Sequence, residues 1–110
     1  MFNKTVVSFY IPGALTGAKD IYFTVPNDCT LRHVSAQCIT QTATLQIFDD
    51  GVAITDDMTV AASTTPTEIT KDEMLNDEYP QIRKDSVIML DVGNGSNCVD
   101  LNLVLTFQDG

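Results

Sequence analysis

The stretch "CVDLNLVLTF", residues 98–107, puts Val99, Leu101, Leu103, Leu105 and Phe107 on one parity. Asp100, Asn102, Val104 and Thr106 fall on the other. Successive side chains of an extended chain point to opposite faces, so this segment has one apolar face and one largely polar face. A helix, with about 3.6 residues per turn, would scatter the same apolar residues around its circumference. The segment is therefore a half-buried strand. The same period of two recurs along most of the chain, and a chain of such strands buries its apolar faces by packing sheet on sheet.

Other segments follow the rule. "KTVVSFYI" carries Val7, Phe9 and Ile11 on one face and breaks at Pro12-Gly13. "DIYFTV" carries Ile21, Phe23 and Val25 and stops at the turn signal Pro26-Asn27-Asp28. "TLRHVSAQCIT" reads as a longer strand with Val34, Ala36 and Cys38 inward. "ATLQIFDDG" carries Leu45 and Ile47 into an Asp49-Asp50-Gly51 turn. "VAIT" and "MTVAAS" are shorter and weaker. "SVIMLDV", residues 86–92, is apolar on both parities at Val87, Ile88, Met89 and Leu90, which predicts a central strand covered on both sides. The intervening "GNGSN" predicts that this strand and the last one form a hairpin. The expected fold is all-β: a single antiparallel β-sandwich, jelly-roll-like, of about eight strands.

One long acidic connection departs from the pattern. "STTPTEITKDEMLNDEYPQIRKD", residues 63–85, opens as loop at Thr64-Thr65-Pro66. Thr70 followed by Glu73 fits a capping box, and Leu75 with Tyr79 is an i, i+4 apolar pair. Two readings stand: a short helix at about 71–77, ended by Pro80, or an irregular acidic loop. No linker or repeat divides the chain, and 110 residues form one domain, 1–110.

Charge bounds the partners. Fifteen Asp and Glu stand against six Lys and Arg, a formal net charge of −9. Such a chain is repelled by nucleic acid and by anionic membrane surfaces, so neither is an expected partner. No apolar run approaches the ~18 residues of a membrane helix. The opening "MFNKTVVSFYIPGALTG" has no secretory pattern, since Ser8 and Pro12 interrupt its apolar residues. Three cysteines are an odd count and do not suggest a disulfide framework; they are expected to be reduced in a chain made in cytoplasm.

No catalytic constellation emerges. Cys29, His33 and Cys38 are the one grouping of sulfur and imidazole. On a regular strand Cys29 and His33 share a parity and Cys38 has the other. Four extended residues span roughly 13 Å at ~3.3 Å each, too far for one zinc or for a thiol–imidazole pair. Cys38 is expected in the core and His33 part-exposed. Gly-x-Ser-x-Gly, His-Glu-x-x-His and phosphate-loop patterns are missing. Asp49, Asp50, Asp56 and Asp57 could hold calcium, but they lack EF-hand spacing, and a solvated acidic edge is the simpler reading. No enzyme activity, cofactor, metal or catalytic residue is expected.

"VPNDCTLRHVSAQC" resembles a recurring element of small β-sandwich proteins in tailed-bacteriophage virions. In it a strand ends at Pro, a polar turn follows, and the next strand reads Thr-Leu-x-x-Val-Ser-Ala; here these are Pro26, Asn27, Asp28, Thr30, Leu31, Val34, Ser35 and Ala36. "LQIFDDGVAI" and "KDSVIMLDVGNGSNCVDLNLVLTF" are similar to the way those proteins continue and close. The resemblance covers about residues 20–55 and 84–107; Met58 to Arg83 has no counterpart. It implies a capsid decoration, or cement, protein that binds the major capsid protein on the capsid exterior and stabilises the shell, as a homotrimer. The alternative it leaves is a phage fibre, tail or receptor-binding module for host-surface glycan.

Overall fold

The computed structural model describes residues 4–14, 19–39, 42–60, 66–74, 78–93 and 98–109. The described residues form ten strands: β1 (Lys4–Ala14), β2 (Lys19–Thr24), β3 (Cys29–Gln37), β4 (Ala43–Asp49), β5 (Val52–Ala53), β6 (Met58–Val60), β7 (Thr67–Ile69), β8 (Gln81–Ile82), β9 (Val87–Gly93) and β10 (Val99–Asp109). They build two antiparallel sheets that face each other. The first runs β1-β10-β3-β7, with β8 also on β3; the second runs β2-β9-β4-β5, with β6 also on β4. Apart from β4–β5–β6 and β7–β8, every connection crosses between sheets. This is jelly-roll connectivity. The eight expected strands are β1 to β6, β9 and β10, while the short β7 and β8 lie in the acidic connection, where no strand is expected; β5 with β6, and β7 with β8, each share one position beside a neighbouring strand.

The alternating faces fall as the sequence predicts. Leu101, Leu103, Leu105 and Phe107 of β10 are buried, and Asn102 between them is exposed. They pack against Leu45, Ile47, Ile88 and Leu90 of the second sheet, and all are almost fully inaccessible. Phe23 links the layers at one side, with ring centroids 5.4 Å from Phe9 and 5.9 Å from Phe107. The Asp49-Asp50-Gly51 turn is also as expected. Asp49 pairs with Val52, and Asp50 and Gly51 between them have φ of 47° and 85°. Two positive φ angles in a two-residue loop match the twist of the flanking strands, and Asp-Gly supplies them at low cost. The turn is latched to β9: Val87 N–H donates to Asp50 Oδ1 (2.8 Å) and Asp50 N–H to the Val87 carbonyl (2.9 Å).

Several expectations are corrected. The strands at 87–93 and 99–109 exist but do not form a hairpin. β9 lies between β2 and β4, and β10 lies between β1 and β3 in the other sheet. Both strands need an inner apolar face, and a Gly/Asn-rich connection serves a sheet crossing as well as a hairpin. Residues 94–97 of that connection lie outside the described residues. β9 is central, but only one of its faces is covered. Ile88, Leu90 and Val92 are buried, whereas Val87 is 43% exposed, because a two-layer sandwich shields only the inner face of each sheet.

β3 is not regular. Thr106 pairs with His33 and Phe107 with Leu31, so Arg32 has no partner across the ladder. This β-bulge shifts the parity of everything before it. Cys29 and Leu31 therefore face the core together with Val34, Ala36 and Cys38. Cys29 does not share a face with His33.

The acidic connection holds no helix of the expected extent among the described residues. Lys71–Glu73 makes a single 3-10 turn, and Met74 then bridges Thr55. Residues 75–77 lie outside the described ones. The Arg32 guanidinium lies over the Tyr79 ring, its Cζ 4.3 Å from the ring centroid. The connection thus closes the β3 edge through packing, and β7 and β8 add only short pairings.

The expectation of three reduced thiols is overturned. Cys38 and Cys98 form a disulfide between positions 60 residues apart, with Cα atoms 5.8 Å apart. Both are buried, and Ile39 N–H donates to the Val99 carbonyl beside them (2.9 Å). The bridge ties the end of β3 to the start of β10, which places β10 in the first sheet. Cys29 remains a free, buried thiol.

Candidate binding surface

The grouping of Cys29, His33 and Cys38 is dispersed by the fold. Cys38 is in the disulfide. His33 stands on the outer face of the first sheet with its Nε2 against the Glu68 carboxyl group of β7. Cys29 faces the core, where burial pushes its thiol pKa up, with Asp109, Asp28 and Asp49 adding to the shift. A thiol held in its protonated form is a poor nucleophile. A narrow apolar cavity of about 20 Å³ lies beside it, lined by Val7, Phe23, Val25 and Phe107 among others, room for little more than one water.

The acidic groups near β5 serve the fold individually. Asp50 accepts the Val87 N–H already described. Burial raises the pKa of Asp49, and the neighbouring Asp50 raises it further, against a hydrogen bond with Ser86 that lowers it. Among the described residues no group of three or more His, Cys, Asp and Glu is placed to hold a metal ion. No helix among them is long and apolar enough to cross a membrane.

The outer faces of the two sheets differ. On the first, Tyr10 pairs with Asn102 and Asn102 with Gln37; Ser8 pairs with Val104 and Val104 with Ser35. That face is mostly uncharged and polar, with Val6 and Tyr10 exposed along the edge strand β1. On the second, Tyr22 pairs with Met89, Met89 with Phe48, and Phe48 with Ala53. Four strands thus place an apolar row across the sheet. Tyr22 is 61% exposed, and Val87 widens the row on β9.

Next to the row, one side-chain pair along the strands, Asp20 lies directly opposite Asp91, with Gln46 on the other side of Asp91. Like charges directly opposed across a sheet destabilise it. The Asp91 carboxyl pKa is accordingly raised, first by desolvation, then by the charge of Asp20, a hydrogen bond with Asp20 and the charge of Asp57. A hydrogen bond between two carboxyls requires one of them to hold a proton. One row further, Gly93 pairs with Thr44, and a Cβ at Gly93 would fall 2.1 Å from the threonine Oγ1. The face therefore runs from close-packed at Gly93, through acidic, to apolar.

In the sequence Tyr22 and Phe48 stand on the parity opposite to Ile21 with Phe23 and to Leu45 with Ile47, so alternation alone places both on outer faces. The Asp20–Asp91 pair was not visible there, because it depends on β2 pairing with β9 across more than sixty intervening residues, and no local signal marks that.

No family model matches this chain, and neither the curated proteins nor the solved structures yielded a match.

Proposed function

We propose that this protein is a structural component of a bacteriophage virion that binds the outside of the capsid and stabilises it. The observation that carries this reading is the presence of exposed large apolar side chains on both outer faces of one sandwich: Val6 and Tyr10 on the first sheet, Tyr22 and Val87 on the second. A protein that staples a shell needs at least two separate contact surfaces, one for each neighbour it joins. The resemblance of residues 20–55 and 84–107 to virion β-sandwiches supports the same reading, and so does a net charge of −9, which suits a position away from packaged DNA. In this reading the protein acts as a homotrimer. The first face, which is mostly uncharged, suits contact between copies, because a chain this acidic meets less repulsion there.

Co-sedimentation tests it. Purified protein is expected to pellet with mature, expanded capsids that lack it, and to raise the temperature at which they rupture, because a ligand selective for the intact state stabilises that state. Unexpanded precursors should bind poorly, since the surface shared by several neighbouring subunits is complete only after expansion. Pelleting with host envelopes and not with capsids would reject the proposal in favour of a receptor-binding module.

A further inference from the structure

We infer that the outer face of the second sheet is a docking face for a basic protein surface, with Tyr22, Met89 and Phe48 as the apolar contact and Asp20 with Asp91 as the seat of a partner lysine or arginine. The inference rests on the proposed capsid-binding role for the identity of that partner, but the chemistry of the face is argued from its own residues.

Two features of this face are unfavourable in the isolated protein. The apolar row spans β2, β9, β4 and β5 with Tyr22 more than half exposed. Beside it, two carboxyls oppose each other, with Asp57 close enough to add to the effect. Local rules of sheet design are broken most often at functional positions. One kind of occupant relieves both at once. An apolar group covers the row, and a cation neutralises the carboxyl pair. A guanidinium is the better fit, since its fork of N–H donors can donate to both carboxylates.

Charge complementarity selects the partner. A second copy of this chain offers 15 acidic residues against 6 basic ones, so copies meeting through this face would set carboxylates against carboxylates. The basic residue nearest the pair in sequence is Lys19, which pairs with Val92 and so lies on the opposite parity from Asp20. It does not replace an external cation. Nucleic acid and anionic lipid are repelled by the same carboxylates. A basic protein surface carrying apolar side chains remains.

Two measurements test this with the full chain. In the first, amide chemical shifts are followed while a synthetic peptide of alternating lysine and leucine is added. Shifts are expected on β2, β9 and β4, and they should weaken about tenfold or more in Asp20→Asn/Asp91→Asn, a loss typical of removing one side of a desolvated charge pair. Shifts centred on the first sheet, or equal titrations of the variant and the parent, would overturn the inference. In the second, capsid binding is compared among the parent, Asp20→Asn/Asp91→Asn, Met89→Gln and Asp72→Asn. The first two variants should bind at least about tenfold more weakly, with their melting temperatures kept or raised, and Asp72→Asn, which removes an exposed carboxylate from the 3-10 turn of the acidic connection, should bind shells as the parent does. If the parent binds capsids and the variants of the second sheet bind equally well, this inference fails and the capsid role stands. If the peptide maps to the face while the parent ignores capsids, the capsid role fails and the docking face stands.

Discussion

Cys38, at the end of β3, is joined through its sulfur to Cys98, which immediately precedes β10. The bridge closes a loop of 60 residues, and both partners lie in the core. Unfolded, unreduced protein should therefore present one reactive thiol per chain, from Cys29, and three after reduction. In the chain-entropy account a loop of this length contributes about 4 kcal/mol, so reduction or Cys38→Ser should lower unfolding stability by roughly that amount. A titration of three thiols without reductant would refute the pairing.

Leu103 is buried and its neighbour Asn102 is exposed. Leu103→Ala should cost about 2–5 kcal/mol, from lost burial and from the cavity it leaves. Asn102→Ala, at the surface, should stay within about 0.5 kcal/mol. Chemical denaturation of both variants checks the face assignment of the last strand, and equal losses would contradict it.

Thr55 is fully buried and replaces a strand where the β4 edge partner breaks between β5 and β6. Its Oγ1 accepts the Ile47 N–H (3.0 Å) and donates to the Asp56 carbonyl (3.1 Å). Thr55→Val keeps the shape and leaves the Ile47 N–H unsatisfied in the core. The expected loss is about 1–3 kcal/mol, the cost of an orphaned buried donor. Thr55→Ser, which retains the oxygen, should recover most of it. Equal losses in the two variants would assign the effect to the methyl group.

Asp91 has its pKa raised in the folded chain, chiefly by desolvation and then by Asp20. The native state consequently holds this proton more tightly than the unfolded state. Its contribution to stability is greatest below the unfolded pKa, near 4, and is lost as pH rises through the folded value. Asp91→Asn removes that loss. The variant should melt higher than the parent at pH 7, and the gap should close toward pH 4. Thermal melts of both proteins across pH 4–8 measure it; a variant less stable than the parent at pH 7 would show the carboxylate to be stabilising.

What the sequence made legible divides along local and non-local lines. The inward leucines of β10 and the Asp50-Gly51 turn are written in adjacent residues, so their period and φ requirements could be read directly. The bulge at Arg32 could not, because an extra residue in a strand changes no local propensity and is visible only against Thr106 and Phe107 of the neighbour. The sheet to which β10 belongs was hidden for the same reason. The Gly/Asn-rich segment before it suits either route, and the deciding partner of Cys98 lies 60 residues away. The outer face of the second sheet was half legible. The parity of Tyr22 and Phe48 within their strands assigns them to outer faces, while the opposition of Asp20 and Asp91 exists only in the assembled sheet.

The position of β10 between β1 and β3 also bears on synthesis. β1 is made before the other strands of this sandwich and, among the described residues, pairs with β10 alone, which is made after all of them. At about 5–20 residues per second, the roughly 85 residues between them keep β1 waiting some 4–17 s on the ribosome with Val7, Phe9 and Ile11 uncovered. The first sheet lacks the strand between β1 and β3 until β10 has been made, so the sandwich cannot mature stepwise. Protease sensitivity of stalled nascent chains should persist until residues 99–109 have emerged and then fall abruptly. Holding factors that shield apolar strands would act on this sandwich before β10 emerges.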